Sequence, residues 1–568
     1  MRLRKMFIPL LALAVMLLAA AIPAAAGAKD PDFWISPDGS LTADAITYTK
    51  ADNGKFYLML PDCLDTSKLC FGVGEGVKFS FGDKAVSTGD SAKALKRGDF
   101  QIRINKKSIT LHVMVGSPGL PAIYVTTESG KLNKIEALKA NREKGYLVFA
   151  GPDGKIQYDG ELDHFKVRGN ASMTFPKKNY VFKLKTGTNL MGMGKAKKWV
   201  LTSNYRDKSH LRNRIIYDMA DAVGLQYTPE RCAAELYINH EYRGLYLFSE
   251  KIEIDDDRVD IPDLQKATER LNDELLSSYK TVGKKKTTKG YFKAYDIPNN
   301  PADITGGYLM EYEAYPARYK YQKTSYTTKR NLVLQMKEPE YASREQMEFI
   351  TGLMQAFENA IYRADGRDPG TGKHYTELAD ADSLALKYMI EEFSENYDGN
   401  SSSQYFYKPA DSVSEKFFAG PAWDYDSSFG THAARFNYKD VLNPACLWIA
   451  EKDRDTGWYP ALWKQQDFRE KVASLWNGRM KQCVEVLLGI RKGKDVPGAE
   501  KLMSIDEYAE TIRASVTMDR IRWPRLNSPS ASSFSWTGAS FDDNLTYLKD
   551  FMQKRTEFLN KAWGGAAD

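Results

Sequence analysis

One polar stretch, Asn396–Tyr407, and its continuation Pro421–Asp426 constrain the fold of this chain more than any other segment. Apolar residues recur at helical spacing over Ser383–Phe393 and predict a helix that ends just before the stretch. Two short runs rich in aromatic and β-branched residues, Gln404–Tyr407 and Phe417–Trp423, predict strands. We therefore expect the order helix, polar loop, strand, strand.

Acidic side chains stand in the loop and at the end of the second strand. Asp398 lies in the polar loop, and Asp424 and Asp426 follow the second strand. Phosphoryl-transfer enzymes use such a pair, because one carboxylate orients the attacking hydroxyl and another holds the metal. A metal-assisted hydrolase can share the arrangement, and aspartates at strand ends commonly cap turns. The stretch alone leaves all three interpretations open.

The length of the chain excludes a single hydrophobic core. At 568 residues, two or three domains are expected. The hydrophobic share of 43% and the charged share of 27% are those of an ordinary soluble globular protein. The net charge of +6 is small for this size, and no block of Lys and Arg interleaved with aromatics suggests nucleic acid.

The first 28 residues predict a secretory signal peptide. Cations precede the apolar run Met6–Ile22, which ends in the small-residue segment Pro23–Ala28. A membrane anchor is the alternative, because the run approaches spanning length. The small residues after the apolar run favour cleavage after about Ala26 or Ala28. We therefore expect an exported, soluble protein without a later membrane span.

The cysteines of the chain fit an exported protein but not a zinc enzyme. Export permits disulfides, and the spacing of Cys63 and Cys70 can close a small loop. An odd count of five leaves at least one thiol unpaired unless chains pair. There is no CxxC motif and no Cys/His cluster, so zinc catalysis is not expected.

Residues 29–120 predict an all-β accessory domain. Short runs such as Phe56–Leu60, Phe100–Ile104 and Ile109–Val113 are separated by Asp-Gly, Gly-Asp and Pro signals. Regularly spaced short strands of this kind are typical of an immunoglobulin-like sandwich. No cluster of acids or histidines indicates a catalytic site there.

A predicted hairpin at residues 168–178 is a candidate anion site. Its turn contains Arg168, Gly169, Asn170 and Ser172, and Lys177 and Lys178 begin the returning strand. Backbone N–H groups of such a turn can bind an anion that a lysine also reaches. A surface hairpin with solvated lysines is the alternative, and spacing alone favours it.

The segment after this hairpin predicts a capped helix. Asp207 or Ser209 is expected to cap it, and Gly224 to end it. Arg212 and Arg214 on this helix can face either a phosphate or water. Further along, the Lys-rich run 283–290 predicts an inserted surface segment, and the chain after residue 440 predicts a helical subdomain.

Seven motifs in this order resemble the spore-coat protein H (CotH-type) kinase family of atypical protein kinases. The resemblance covers roughly Pro121–Trp563 and is carried by Arg168–Ser172 with Phe175–Tyr180, Lys198–Leu201 with Asp207–Asn213, Glu235–Asn239, Gly244–Ile252, Gly306–Glu311, Asn396–Gly399 and Pro421–Asp426. It implies an α+β fold in which residues 121–568 form a diverged two-lobed protein-kinase-like domain. The lobes would span about 121–310 and 311–440, and a helical subdomain 441–568. The resemblance also implies transfer from ATP, with a divalent metal such as Mg²⁺ or Mn²⁺, to protein substrates in the cell envelope or outside the cell.

The resemblance also implies roles for individual residues. Lys178 would hold the α- and β-phosphates, with Lys177 as the alternative and Glu250 as a candidate ion-pair partner. The Arg168–Ser172 turn would replace the glycine-rich loop of protein kinases. Asp398 would accept the hydroxyl proton, Asp424 would bind the metal, and Asp426 would share that role.

Ser403 departs from the protein-kinase pattern. Protein kinases place a metal-binding Asn five residues after the catalytic Asp, and Ser403 stands at that position. A hydroxyl is a poorer metal ligand than an amide oxygen, so Ser403 weakens the second metal site. Two interpretations therefore remain: a secreted kinase that acts on Ser/Thr-type hydroxyls, and a non-catalytic surface scaffold that binds proteins or glycans.

Overall fold

The chain has a mixed α+β fold. The computed structural model describes residues 30–283, 290–314, 322–431, 442–450, 457–527 and 538–564. The expected signal peptide and most of the Lys-rich run 283–290 lie outside these residues. No helix within the described ranges is long and apolar enough to cross a membrane.

Two small sheets form the N-terminal part of the described chain. One has the order β2-β1-β5 and the other the order β3-β4-β9-β8-β6-β7, in which β4 and β9 run parallel. The strands are β1 Phe33–Ser36, β2 Ile46–Thr47, β3 Thr49–Lys50, β4 Phe56–Leu60, β5 Cys70–Val73, β6 Phe79–Phe81, β7 Lys84–Val86, β8 Gly98–Ile104 and β9 Lys107–Val115. Their apolar core extends to Tyr124 and Tyr237 of a neighbouring barrel, and the hydroxyl of Tyr237 donates to the carbonyl of Met59 at 3.1 Å. The two small sheets therefore pack directly on that barrel.

The barrel is closed and seven-stranded, with the order β10-β11-β12-β13-β14-β16-β15. Its strands are β10 Ala122–Thr127, β11 Glu143–Ala150, β12 Ile156–Arg168, β13 Asn179–Asn189, β14 Lys195–Thr202, β15 Arg231–Ile238 and β16 Glu241–Glu250. The parallel pairing of β10 with β15 closes it. Large side chains such as Phe149, Trp199 and Phe248 form its core. Two helices interrupt the strands: α1 Asn133–Ala137 and α2 Arg212–Val223.

A second seven-stranded sheet, with the order β17-β18-β20-β21-β19-β22-β23, carries the candidate loops. Its strands are β17 Thr281–Gly283, β18 Tyr291–Tyr295, β19 Tyr308–Tyr312, β20 Ser325–Thr327, β21 Val333–Glu338, β22 Gln404–Lys408 and β23 Phe418–Ala419. The helices around it are α3 Leu264–Glu269, α4 Arg344–Ile361, α5 Tyr375–Leu378 and α6 Ala381–Ser394. The predicted strand over Phe417–Trp423 is thus shorter than expected.

Helices dominate the C-terminal part, as the sequence predicts. They are α7 Tyr459–Leu462, α8 Gln466–Leu475, α9 Lys481–Leu487, α10 Ile505–Arg522 and α11 Phe541–Gly564. Helix α11 packs near α6, where Arg555 and Glu392 form a fully buried ion pair at 2.6 Å. All five cysteines have free thiols, so the disulfide that the spacing of Cys63 and Cys70 permitted is absent.

Candidate active site

The acidic centre lies between two loops of the second sheet. The first loop connects α6 to β22 and carries Asp398 and Ser403, and the second follows β23 and carries Asp424. The Ser403 hydroxyl donates to the Asp424 carboxylate, with 3.2 Å between Oγ and Oδ2. Both residues have positive φ, 59° for Ser403 and 69° for Asp424. Non-glycine residues rarely adopt this conformation, and it concentrates at functional sites.

The charges of two aspartates act on a third in this centre. The pKa of Asp426 is raised to about 7, first by burial and then by the charges of Asp424 and Asp398, against the opposing effect of Arg206. Like charges that share a site disfavour ionisation of one of them. The two loops therefore bring Asp398, Asp424 and Asp426 close enough to interact, as a shared centre requires.

A buried network beneath the two loops fixes their spacing. The side-chain amide of Asn396 donates to Glu391 Oε2 at 2.8 Å and to the carbonyl of Asp424 at 3.4 Å. The Tyr425 hydroxyl donates to Glu391 Oε1 at 2.6 Å, and Lys387 forms an ion pair with the same carboxylate. Helix α6 thereby holds both loops through one glutamate.

Helix α2 holds the Asp424 loop from the other side. The backbone N–H of Asp424 donates to the Tyr217 hydroxyl at 3.1 Å, and that of Tyr425 donates to Asn213 Oδ1 at 2.7 Å. Arg212 Nε donates to the carbonyl of Ser428 at 2.9 Å. The N-terminal half of one helix therefore fixes the backbone on which the metal-binding aspartates are expected.

The two arginines of α2 each form an ion pair within the fold. Arg212 is fully buried and pairs with Asp207, with 2.6 Å between Nη1 and Oδ1. Arg214 pairs with Asp218 at 2.7 Å. Arg212 therefore does not face water, whereas the Arg214 side chain stays 28% exposed beside its carboxylate partner.

The hairpin at residues 168–178 approaches the acidic centre. The Arg168 guanidinium lies 5.0 Å from the ring centre of Trp423, which precedes Asp424. Gly169 has φ 97°, and a Cβ there would lie 1.9 Å from Ser172 Oγ, so the tight turn requires glycine. Asn170 accepts a hydrogen bond from Lys139 Nζ at 2.9 Å.

The two lysines of the hairpin occupy different environments. Lys178 is half-buried, and its Nζ donates to the carbonyl of Met173 at 2.7 Å, inside the hairpin. Lys177 is fully buried and pairs with Asp519 of α10, with 2.7 Å between Nζ and Oδ1. The ammonium of Lys177 is therefore bound within the fold, which does not suit it to the alternative phosphate-binding role.

Glu250 is placed at the end of β16 beside Arg258. Its Oε1 lies 3.7 Å from Arg258 Nε, and its Oε2 accepts from the backbone N–H of Glu230 at 2.8 Å. Burial raises the pKa of Glu250 to about 7. This placement brings Glu250 to Arg258 and does not suit it as the partner of Lys178.

A row of cations to which the sequence motifs give no role lies where the barrel meets the second sheet. Lys198 and Lys251 contact Glu253 at 2.8 and 3.4 Å, and Lys337 contacts Glu311 at 2.9 Å. Burial lowers the pKa of Lys251, and the charges of Lys198 and Lys337 add to this effect. The three lysines come from separate segments, so no local spacing reveals the row, although Lys198 and Lys251 stand inside the motifs of the family resemblance.

A buried tyrosine connects the row of cations to the acidic centre. Tyr405 is buried, and its pKa is raised well above the ordinary value mainly by burial, with contributions from the charges of Glu311 and Asp424 and an opposing one from Arg168. Tyr405 thus lies between Glu311, which pairs with Lys337, and the Asp424 loop. Cations on one side and carboxylates on the other are the charges that a metal-bound polyphosphate requires.

The donor set suits a hard divalent cation brought by a nucleotide. Within the described ranges, no group of three or more His, Cys, Asp and Glu residues is arranged to hold a metal by itself. Mg²⁺ is commonly bound through one or two carboxylates together with substrate phosphates, rather than in an all-protein cage. The convergence of Asp424 and Asp426, with mutual repulsion that a cation would relieve, fits that mode of binding.

Comparison with known proteins places the chain in a family. The family model described as CotH kinase protein matches residues 165–486, more than half of the chain. The match begins in β12 and ends in α9, so it includes the hairpin, α2 and both acidic loops. No curated protein matches the chain.

Proposed function

The chain belongs to the CotH kinase protein family, and from this premise we propose that it transfers the γ-phosphoryl group of ATP to Ser/Thr-type hydroxyls of proteins. The observation that carries the proposal is the convergence of Asp398, Asp424 and Asp426, in which two charges act on the pKa of the third. Kinase chemistry needs positioning and charge neutralisation rather than covalent catalysis, and this centre offers both.

Each loop supplies one part of the reaction. Asp398 accepts the proton of the substrate hydroxyl as the hydroxyl attacks, so it is the general base. Asp424 and Asp426, with the Ser403 hydroxyl, would hold Mg²⁺ or Mn²⁺, which supplies neutralisation of the phosphate charge when bound. Arg168 and the backbone of its turn face the phosphates, and Lys178 approaches from the same hairpin.

The cation row extends this proposal beyond the hairpin. Lys337 and Lys251 are held in place by ion pairs with Glu311 and Glu253. An ammonium held by a carboxylate is fixed as a point charge for a phosphate. We assign these two lysines to the nucleotide, in addition to Lys178.

The same proposal assigns the parts of the fold to the two lobes of a kinase. The barrel, within residues 121–310, is the N-lobe, and the second sheet with its helices, within 311–440, begins the C-lobe, which the subdomain 441–568 completes. The two N-terminal sheets within 29–120 form an immunoglobulin-like accessory domain. The segment 1–28 is a signal peptide that directs export of the chain. The substrates of the exported chain are envelope or extracellular proteins, such as those of a spore coat.

A non-catalytic scaffold is the second candidate function. The Ser403 hydroxyl already donates to Asp424, and it stands where protein kinases place a metal-binding Asn. A protein with a single weak metal site can retain nucleotide binding without transfer. In that case the N-terminal sheets would bind the protein or glycan partners.

Two measurements on the purified protein decide between the candidates. We expect ATP with Mg²⁺ or Mn²⁺ to raise the melting temperature, and ATP with EDTA to leave it unchanged. We also expect label from γ-labelled ATP on the protein itself or on a casein-like acceptor. Metal-dependent stabilisation without any transfer supports the scaffold, and absence of both results contradicts nucleotide binding altogether.

A further inference from the structure

The side chain of Arg206 lies where three parts of the candidate active site meet. Arg206 follows β14 and directly precedes Asp207, whose carboxylate accepts from the first backbone N–H of α2. Asp207 is fully buried, whereas Arg206 is only half-buried. Neither the sequence motifs nor the proposed mechanism gives this arginine a role.

Ser427 connects Arg206 to both acidic loops. Arg206 Nη1 donates to the Ser427 hydroxyl at 3.0 Å, and this hydroxyl donates to Asp426 Oδ1 at 2.9 Å. The carbonyl of Ser427 accepts from the backbone N–H of Tyr397 at 3.2 Å, and Tyr397 directly precedes Asp398. Ser427 therefore fixes the Arg206 guanidinium beside one proposed metal ligand and beside the loop of the proposed base.

The hairpin at residues 168–178 contacts Arg206 from another direction. The guanidinium carbon of Arg206 lies 5.1 Å from the ring centre of Phe175, and the Phe175 ring stacks on Tyr205, with 5.3 Å between the ring centres. A guanidinium over an aromatic face is held by the ring without using an N–H donor. Arg206 is thus fixed between the hairpin proposed to face the phosphates and the loop proposed to hold the metal.

A phosphoryl group in transfer has to pass between these same parts. During transfer its negative charge spreads over three equatorial oxygens, and an arginine supplied by the same chain can stabilise that charge. A guanidinium presents its N–H donors in a planar fork, so one arginine can bind two phosphate oxygens at once. Arg206 combines this chemistry with a position at the junction of the nucleotide, metal and base segments.

We propose that Arg206 is a further catalytic residue, which binds the phosphoryl group while it is transferred; this role rests on the proposed function. In the transfer step the bond between the γ-phosphorus and the oxygen that leaves with ADP breaks. The oxygen of the substrate hydroxyl bonds to the same phosphorus, and the hydroxyl proton goes to Asp398. Arg206 neither gives nor takes a proton, and it stabilises the charge on the equatorial oxygens.

Two variants of Arg206 and one matched control test the proposal in the full chain. Arg330 is exposed, and its guanidinium lies 3.5 Å from the ring centre of Tyr362, so Arg330→Ala removes a comparable ring contact outside the site. We expect Arg206→Ala to lower kcat for label transfer from γ-labelled ATP by about 10³-fold, the lower end of what such an arginine contributes. Its Kd for ATP with Mg²⁺ should change by less than about threefold, because a contact made only in the transition state does not strengthen ground-state binding.

Arg206→Lys and Arg330→Ala complete the comparison. Arg206→Lys keeps the charge without the planar fork and should lower kcat by about tenfold or more. Because it retains a long cationic side chain, it should keep the melting temperature even if Arg206→Ala does not fold. Arg330→Ala should have the kcat of the wild-type protein. A wild-type kcat in either Arg206 variant would overturn the proposal.

Added guanidinium separates a catalytic role from a structural one. We expect guanidinium chloride, at concentrations that leave the melting temperature unchanged, to restore transfer by Arg206→Ala saturably, and potassium chloride at the same ionic strength not to do so. A loss of kcat that guanidinium does not restore, together with a lower melting temperature, would make Arg206 a structural residue and overturn the proposal. Wild-type protein that transfers no label would contradict the proposed function itself, and this inference with it.

Discussion

The Ser403 hydroxyl donates to the Asp424 carboxylate, with 3.2 Å between Oγ and Oδ2, and both residues hold left-handed backbone conformations. The contact links the loop of the proposed base to the loop of the proposed metal ligand. Protein kinases have an Asn at this position, and its amide oxygen binds a second metal. In this chain the Ser403 hydroxyl instead donates its proton to the Asp424 carboxylate. In the proposed mechanism, the strength of metal binding therefore depends on Ser403.

Restoring an amide at position 403 should strengthen metal-dependent nucleotide binding. Asn tolerates the left-handed conformation better than most residues, so Ser403→Asn should fold normally. We expect Mg²⁺-dependent affinity for ATP to rise by about fivefold, which corresponds to about 1 kcal/mol, measured by calorimetry. Ser403→Ala is the matched control and should weaken binding, and a Ser403→Asn protein that behaves like Ser403→Ala would contradict the role of this position.

The two hairpin lysines should have opposite phenotypes. Lys178→Met should remove the stabilisation by ATP, about 2.7 kcal/mol at a hundredfold excess over Kd, with little change in the free protein. Lys177→Met should lower the stability of the free protein by about 3–5 kcal/mol, because Asp519 would be left buried without its partner. Thermal shifts with and without ATP measure both, with exposed Lys185→Met as the control. An unchanged ATP response in Lys178→Met would remove that lysine from the site.

Loss of the buried carboxylate beneath α2 should destabilise the fold. Asp207 accepts from Arg212 Nη1 and from the Arg212 backbone N–H, at 2.6 and 2.7 Å. Asp207→Asn leaves a buried arginine uncompensated and should cost about 3–5 kcal/mol. Asp365→Asn removes an exposed pair with Arg363 and should cost less than about 1 kcal/mol. Equal losses in urea denaturation would show that the Arg212 pair is not structurally important.

Glu235 should make the stability of the fold depend on pH. Burial raises its pKa from 4.5 to about 7, although Ser515 and Tyr242 donate to it. The folded chain therefore binds more protons than the unfolded chain between these values, so the free energy of unfolding falls as pH rises through this window. Glu235→Gln should reduce the pH-dependent change in the free energy of unfolding by at most about 3 kcal/mol over this window. Glu557 is exposed, so Glu557→Gln should leave the pH dependence of stability unchanged. A wild-type pH dependence in Glu235→Gln would contradict the role given to Glu235.

The local elements of this chain could be predicted from periodicity, whereas its side-chain partners could not. The helix before Asp398 and the strand at Gln404 lie where the pattern places them, because each is encoded by consecutive residues. Lys177 and Lys178 are adjacent and chemically identical, and only their opposite directions at the start of a barrel strand decide which one is buried. Arg212 shows the same limit, since its partner Asp207 is near in sequence but is selected by the buried fold around α2. The row from Lys251 to Lys337 joins segments more than eighty residues apart, which no local spacing can connect.

Asp398→Asn gives the most direct test of the proposed chemistry. The substitution keeps the size of the side chain and removes the proton acceptor, so binding of ATP with Mg²⁺ should persist at wild-type affinity. Transfer of label from γ-labelled ATP should fall by about 10²–10⁴-fold, the usual contribution of a general base. Asp424→Asn in parallel should lose metal-dependent ATP binding as well as transfer. Full transfer by Asp398→Asn would contradict the assignment of the base, and with it the account of the acidic centre.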